Sequence, residues 1–146
     1  MVAVGDTAPD FTEPNQDGTP FRFSSLKGSP VVLYFYPKAD TPGCTVEAKG
    51  FRDFHKEFLA QNVKIVGVSV DDCPAQKAFA DKYTLPFPLI ADTSKKVTRA
   101  YGVLNPRGAA RRVTFLIDGQ GKVLEVVDSS TAEEHVAKAR ARFLAH

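Results

Sequence analysis

The chain has 146 residues, of which 43% are hydrophobic and 25% are charged, as in one globular domain that can bury its own core. The 19 basic and 17 acidic side chains leave a net charge of +2, which argues against a nonspecific nucleic-acid binder. No apolar run is long enough for a membrane span or a signal peptide. We therefore expect a single cytoplasmic domain over residues 1–146, with no membrane or nucleic-acid partner.

The first elements predicted along the chain are a hairpin, a strand and a helix. A turn sequence at residues 15–18 lies between two short extended runs and predicts an N-terminal hairpin. The continuous β-branched and aromatic run at residues 31–36 is typical of a strand that is buried on both faces, in the middle of a sheet. Over residues 45–61, large side chains recur at helical spacing and predict an amphipathic helix.

The middle of the chain continues the alternation of strands and helices. A second buried strand is predicted over residues 63–70, and a helix from Pro74 to Tyr83 follows it. A brief strand at residues 87–90 and a short helix at residues 95–101 complete this part. In the first of these helices, the side chains predicted to face inward are Ala75, Ala78 and Phe79.

The last third of the chain predicts a hairpin and a terminal helix. Strands over residues 112–118 and 122–128 flank a glycine-rich turn. The helix should begin at Thr131, with Glu134 completing a capping box, and should bury Val136, Ala139 and Phe143. The order of elements predicts an α/β fold, a mixed central sheet with helices on both faces and an N-terminal hairpin extension. This order is compatible with a thioredoxin-like arrangement.

The segment at residues 36–47 is the most informative about function. It leads from the carboxyl end of a buried strand into a helix, a position where α/β proteins commonly bind ligands. Cys44 is placed in the first turn of that helix, where unpaired N–H groups and the helix dipole favour a thiolate. Thr41 is near enough in sequence for its hydroxyl to reach the sulfur, and Pro37 supplies a bulky wall. From these residues alone, Cys44 is either a nucleophile or a small buried apolar side chain beside a threonine helix cap.

The spacing Pro37-x-x-x-Thr41-x-x-Cys44 resembles the active-site signature of the peroxiredoxins. The fuller string YFYP followed by TPGCT resembles the bacterioferritin-comigratory subfamily, also called peroxiredoxin Q. Three further stretches match that subfamily, namely GDTAPDF at residues 5–11, VGVSVD at 66–71 and RVTFLID at 112–118. The resemblance implies an elaborated thioredoxin fold and an antioxidant peroxidase, which reduces hydrogen peroxide and organic hydroperoxides through a cysteine sulfenic acid. No Walker loop or dinucleotide fingerprint is present in the sequence, so no bound cofactor is expected.

The resemblance also implies a role for each matching residue. Cys44 would be the peroxidatic nucleophile, Thr41 would orient the peroxide and Pro37 would shield the sulfenic acid. Arg112 would supply positive charge beside the thiolate, and Glu47 would help to hold that arginine.

Two adjacent arginines, Arg111 and Arg112, are candidates for the residue beside the sulfur of Cys44. Successive residues of a strand point to opposite faces, so only one of Arg111 and Arg112 can face the site. The Arg-x-Thr-Phe pattern selects Arg112, and Arg111 is expected to lie on the surface.

Regeneration of the thiol departs from the common subfamily pattern. Many members carry a resolving cysteine at the positions that hold Lys49 and Ala80 here. Cys73 is the remaining candidate for a resolving cysteine, but it and Cys44 follow the ends of two different strands. Their Cα atoms should therefore lie farther apart than the about 7 Å that a disulfide allows. We therefore expect a one-cysteine cycle in a monomer, with thioredoxin or another thiol reducing Cys44 directly.

Other functions are less compatible with the sequence. A glutathione-peroxidase-like enzyme would rely on a tryptophan, which the chain lacks, and a thioredoxin-type exchanger would need a C-x-x-C pair. A non-catalytic thioredoxin-fold binding module with an inert Cys44 stays an alternative, which the alkylation rate of that thiol would distinguish. No metal site is expected, because ligand spacing is missing among the histidines His55, His135 and His146.

Overall fold

The computed structural model describes residues 1–144. The strands are β1 (Thr12–Pro14), β2 (Pro20–Arg22), β3 (Val31–Phe35), β4 (Lys64–Ser69), β5 (Leu89–Ala91), β6 (Val113–Ile117) and β7 (Val123–Asp128). The helices are α1 (Pro42–Asp53), α2 (His55–Ala60), α3 (Cys73–Tyr83), α4 (Lys96–Ala100) and α5 (Ala132–Phe143). Within the described residues, no helix has the length and apolar character needed to cross a membrane.

Strands β3 to β7 form one mixed sheet in the order β5-β4-β3-β6-β7, and β1 pairs with β2 in a separate hairpin. β4 and β5 run parallel to β3, whereas β6 is antiparallel to β3 and to β7. The predicted N-terminal hairpin, mixed sheet and central position of β3 are confirmed. Because β3 and β6 are antiparallel, Phe35 at the end of β3 pairs with Val113 at the start of β6. The residue before β6 therefore lies beside the loop that leaves β3.

Helices cover both faces of the sheet, as predicted. Alternate side chains of β3 enter two separate apolar clusters, with Val32 and Tyr34 on one face and Leu33 and Phe35 on the other. The first cluster is covered by α1, α2, α3 and α5, and the second is covered by α4 and the N-terminal segment. All five residues of β3 are buried, which explains the continuous apolar run in the sequence.

The helix predicted over residues 45–61 is two helices in the structure. α1 begins at Pro42, whose fixed φ suits the first turn, and the helical conformation is interrupted at Phe54. Phe51 before the break and Phe58 after it enter the same apolar cluster. Periodicity therefore continues across the interruption, and the sequence pattern does not reveal it.

The buried face of α3 differs from the prediction. Gln76, Phe79 and Ala80 are buried, whereas Ala75 is half-buried and Ala78 is exposed. The inward position predicted for Ala78 is therefore wrong. The helix turns a polar side chain inward because Gln76 bonds to groups in the interior, including the hydroxyl of Tyr36.

The predicted capping box of α5 is also wrong. Thr131 is the N-cap residue, but its side chain makes no capping hydrogen bond. The carboxylate of Glu134 instead accepts a hydrogen bond from the Ser129 hydroxyl at 2.6 Å. The predicted inner stripe of α5 is confirmed, since Val136 and Ala139 are buried and Phe143 packs against the same cluster.

Candidate active site

The loop between β3 and α1 is held by groups from α3 and from the segment that follows β4. The Ala39 amide donates to the Asp71 carboxylate at 2.8 Å. Asp40 has a positive φ of 58°, and its carboxylate accepts hydrogen bonds from Lys82 and Tyr83 at 2.9 Å each. These contacts tie the loop to the end of α3. The start of α1 therefore has a fixed position relative to the sheet.

Cys44 is the third residue of α1 and is 1% exposed. Thr41 precedes the helix with an extended backbone, and its carbonyl accepts the first helical hydrogen bond, from the Thr45 amide at 2.8 Å. The amides of the first helical turn have no carbonyl partner within the helix, and they form the positive end of its dipole. The sulfur therefore lies in a local environment that favours negative charge.

Arg112 reaches the sulfur from the start of β6. Its Nη2 donates to Sγ of Cys44 at 3.4 Å, and its Nη1 donates to Oε1 of Glu47 at 2.9 Å. Arg111 lies on the surface and pairs with Asp128 at 2.6 Å. The structure thus brings Arg112 to Cys44 and directs Arg111 away from it.

Gly43 makes room for this guanidinium. A Cβ atom at residue 43 would lie 2.9 Å from Nη2 of Arg112, closer than carbon and nitrogen ordinarily approach. The absence of a side chain at this position therefore allows Arg112 to contact the sulfur. The sequence analysis did not single out this glycine, because its role depends on a residue far along the chain.

Glu47 is fully buried, one helical turn after Cys44. Its Oε1 accepts from Arg112. Its Oε2 has no hydrogen-bond partner within residues 1–144 and lies 3.5 Å from Nδ1 of His135. Burial raises the pKa of Glu47 to about 8, although the guanidinium of Arg112 acts in the opposite direction. The carboxyl group that holds the arginine is therefore itself a titratable part of the site.

Thr41 and Pro37 lie in the loop that leads from β3 to α1. The hydroxyl of Thr41 donates to the Lys38 carbonyl at 2.8 Å and does not cap the helix with its side chain. Its proton is thus used within the loop, while its oxygen lone pairs are available to accept a hydrogen bond. Pro37 is half-buried directly after Tyr36, where the strand has ended.

His135 lies next to Glu47 in the site, and the sequence pattern did not predict this position. It was considered in the sequence analysis only as a possible metal ligand. It is fully buried on α5, three residues after the buried Ala132 and four before the buried Ala139. That helical spacing is the sequence signal that could have placed it on the inner face.

Cys73 is the first residue of α3, half-buried, and both cysteines are free thiols. It follows β4, the parallel neighbour of β3, so both cysteines lie beyond the carboxyl ends of adjacent strands. Among residues 1–144, no group of three or more acidic, histidine or cysteine side chains could hold a metal ion. His146 lies outside the described residues.

Comparison with known proteins gives a consistent result. Residues 4–126 match the model of the AhpC/TSA family. The putative peroxiredoxin bcp of Coxiella burnetii is 40% identical over 144 residues, covering 94% of this chain and 95% of that protein. The chloroplastic peroxiredoxin Q of Sedum lineare is 41% identical over 138 residues, covering 92% and 74%.

Solved structures agree with these relatives. The crystal structure of the peroxidoxin BcpB from Mycobacterium tuberculosis has a TM-score of 0.93 and 42% identity, covering 99% of this chain and 98% of that one. A structure of the Xanthomonas campestris bacterioferritin comigratory protein, described for its alkyl peroxide reduction activity, has a TM-score of 0.86 and 30% identity, covering 93% and 91%.

Proposed function

Because this chain belongs to the AhpC/TSA family and is a thiol-dependent peroxidase of the peroxiredoxin Q group, we propose that Cys44 is the residue that attacks the peroxide. The observation that carries the proposal is the guanidinium of Arg112, 3.4 Å from the Cys44 sulfur at the first turn of α1. A fixed positive charge and unpaired amides at one sulfur favour the thiolate, which is the nucleophilic form. Hydrogen peroxide and organic hydroperoxides are its substrates in this proposal.

In the chemical step, the thiolate sulfur of Cys44 attacks one peroxide oxygen. A sulfur–oxygen bond forms, the oxygen–oxygen bond breaks, and the electron pair leaves on the second oxygen, which takes up a proton as water or alcohol. The cysteine is thereby oxidised to sulfenic acid, and the peroxide is reduced. Arg112 is positioned to stabilise both the thiolate and the negative charge on the leaving oxygen.

Thr41 and Pro37 define the space in which the peroxide would bind. Because the Thr41 proton is donated to the Lys38 carbonyl, its oxygen can accept the O–H of the peroxide and orient it toward the sulfur. Pro37 has no N–H and occupies the end of the strand as a bulky apolar group. It would limit the access of water to the sulfenic acid.

A coupled assay tests the peroxidase function directly. The purified chain is mixed with thioredoxin, thioredoxin reductase and NADPH, and oxidation of NADPH is followed after addition of hydrogen peroxide. Consumption that depends on both peroxide and the chain supports the proposal. Consumption equal to that without the chain would contradict it.

Regeneration is proposed to use an external thiol. The two positions where subfamily members often carry a resolving cysteine hold Lys49, which is exposed and lies over the ring of Tyr83, and Ala80, which is buried. A thiolate of thioredoxin would attack the Cys44 sulfenic acid and displace its oxygen as water. The second thiol of thioredoxin would then release Cys44.

The Cys73→Ser variant tests this one-cysteine cycle. It is expected to retain peroxide turnover within about twofold, because no step then passes through Cys73. Mass spectrometry of the wild-type protein after one equivalent of peroxide should show sulfenic acid on Cys44, trapped with a dimedone reagent. A disulfide between Cys44 and Cys73 within one chain would overturn the expectation.

The Gly43→Ala variant tests the contact between Arg112 and the sulfur. The added methyl group should displace the guanidinium and slow peroxide reduction by about three- to tenfold. The melting temperature should change little, because the better helix propensity of alanine offsets part of the weakened contact between Arg112 and the buried Glu47. Val46→Ala, an exposed change in the same helix turn, is the matched control. Unchanged turnover in Gly43→Ala would show that this contact does not support the reaction.

The monomeric state and the cytoplasmic location stay predictions of the sequence. Relatives of this chain include both bacterial proteins and plant proteins of the chloroplast.

A further inference from the structure

Polar side chains continue inward from the active site as a buried chain of contacts. Arg112 links the Cys44 sulfur to Oε1 of Glu47. Beyond it, Oε2 of Glu47 lies 3.5 Å from Nδ1 of His135, and that nitrogen lies 2.8 Å from the hydroxyl oxygen of Thr114. Glu47, His135 and Thr114 are all fully buried. Neither His135 nor Thr114 is required by the reaction steps given above, so their role is open.

The hydrogen-bond partners of His135 determine where its proton lies. Nε2 is 2.8 Å from the carbonyl oxygen of Ser129, which can only accept, so Nε2 carries the hydrogen. Burial lowers the pKa of His135, which favours the neutral ring. In that form Nδ1 is an acceptor, and the Thr114 hydroxyl donates to it. The nitrogen that lies near Glu47 therefore carries no hydrogen, and its one lone pair is used by the Thr114 hydroxyl.

This arrangement disfavours negative charge on Glu47. Its Oε2 is buried, has no hydrogen-bond donor among residues 1–144, and lies 3.5 Å from Nδ1 of His135, which carries no hydrogen. A carboxylate in that position would be destabilised, because burial removes it from water and no donor replaces the lost hydrogen bond to Oε2. The raised pKa of Glu47, about 8, agrees with this geometry. Oε1 remains free to accept from Arg112 in either protonation state.

We propose that His135 is a positioning residue that keeps Glu47 protonated, so that the charge of Arg112 acts on the Cys44 sulfur, and that the Thr114 hydroxyl weakens this effect by occupying the lone pair of Nδ1. This inference rests on the proposed function of Cys44. A neutral carboxylic acid holds the guanidinium in place without neutralising it. When Glu47 loses its proton to solvent at higher pH, the carboxylate competes with the thiolate and the leaving oxygen for Arg112. Peroxide reduction should then slow.

The other titratable groups near Glu47 and His135 do not take over the role of His135 in keeping Glu47 protonated. Glu47 contacts Arg112 before β6 and lies 3.5 Å from His135 on α5. Cys44 lies one turn earlier on the same helix, and the charge of Glu47 acts on the hydroxyl of Tyr34 on β3. The charges of Arg112, Glu134 and Asp128 act on His135. Burial raises the pKa of Tyr34 well above its ordinary value, so its hydroxyl stays neutral. The hydrogen bond to the Ser129 carbonyl, and to a lesser degree Glu134 and Asp128, raise the pKa of His135 and oppose the effect of burial, which nevertheless prevails.

Three variants test the inference through the pH profile of kcat/KM for hydrogen peroxide, measured from about pH 6 to pH 10. The wild-type rate should fall above about pH 8, where Glu47 ionises. Glu47→Gln, which mimics the protonated acid, should lose this fall. His135→Asn places an amide donor near the position of Nδ1, favours the carboxylate, and should move the fall to lower pH by about one unit.

In Thr114→Val, the decrease in kcat/KM should begin at a higher pH than in the wild type, opposite to the shift expected for His135→Asn. Removing the hydroxyl frees the lone pair of Nδ1 to accept the Glu47 proton, which favours the acid and moves the fall to higher pH. Lys138→Ala, on the exposed face of α5, is the control and should follow the wild-type profile. A merely structural role of residues 114 and 135 would not shift the two profiles in opposite directions.

Infrared spectroscopy gives a readout that does not depend on peroxidase activity. The carboxylic-acid C=O band that is present in the wild type and absent in Glu47→Gln should titrate near pH 8, and earlier in His135→Asn. If the wild type reduced no peroxide, the proposed function would fail, and this titration alone would decide the inference. Superimposable pH profiles and band titrations in the wild type, His135→Asn and Thr114→Val would overturn it.

Discussion

Replacement of Cys44 by serine is expected to abolish peroxide turnover, by at least about 1,000-fold, while the fold persists. A serine hydroxyl stays protonated beside Arg112, and an alcohol is a far weaker nucleophile than a thiolate. A hydroxyl is smaller and more polar than a thiol but occupies the same position, so the fold should persist with a modest loss of stability. The coupled NADPH assay measures the turnover, and circular dichroism with thermal melting measures the fold.

Cys73→Ser is the matched control for this experiment, since it removes the other free thiol of the chain. Rapid alkylation of the wild-type protein at neutral pH should be lost in Cys44→Ser and kept in Cys73→Ser. Peroxide turnover by a folded Cys44→Ser protein would refute the assignment of Cys44 as the nucleophile. An alkylation rate of Cys44 no faster than that of free cysteine would argue for an inert thiol.

Replacement of Arg112 by alanine is expected to slow peroxide reduction by at least about tenfold. A charge-assisted contact to a developing anion contributes about 1.5–3 kcal/mol, and Arg112 also holds Glu47. Removing the guanidinium should raise the pKa of Glu47 further, because Arg112 is the group that lowers it. Second-order rate constants with hydrogen peroxide, measured by stopped flow, give the size of the effect.

Arg111→Ala is the control that the chain itself provides. Arg111 pairs with Asp128 on the surface, so its removal should change the rate little. Arg112→Lys adds a second comparison, because an ammonium group keeps the charge but cannot contact Cys44 and Glu47 with two nitrogens. Equal losses in Arg111→Ala and Arg112→Ala would mean that the effect is one of overall charge and not of contact with the sulfur.

The sequence by itself determined the fold class and the family. Buried strands appear as continuous apolar runs, and the run at residues 31–36 was sufficient to place β3 in the middle of the sheet. The motif from Pro37 to Cys44 and the three other matching stretches indicated a peroxiredoxin, and the family match confirms it. These features are local, because each depends on residues that are close along the chain.

Sequence patterns gave less reliable information about the ends and faces of helices. The interruption at Phe54 was missed because Phe51 and Phe58 reach the same cluster across it. The inward position of Ala78 was wrong because the helix turns Gln76 to the interior, where it finds hydrogen-bond partners. Apolar periodicity shows which side chains are buried only when the buried face is itself apolar.

Only the tertiary structure decided how the polar groups of the site are paired. Glu47 and Arg112 are 65 positions apart in sequence, and His135 approaches them from the last helix. That Gly43 makes room for the guanidinium, and that Oε2 of Glu47 lacks a donor, are consequences of how α1, α5 and the start of β6 pack together. Hydrogen bonds and desolvation depend on distances of a few tenths of an ångström between such segments. Periodicity along the chain carries no information about those distances, so the sequence could name the reactive cysteine but not the protonation of its neighbours.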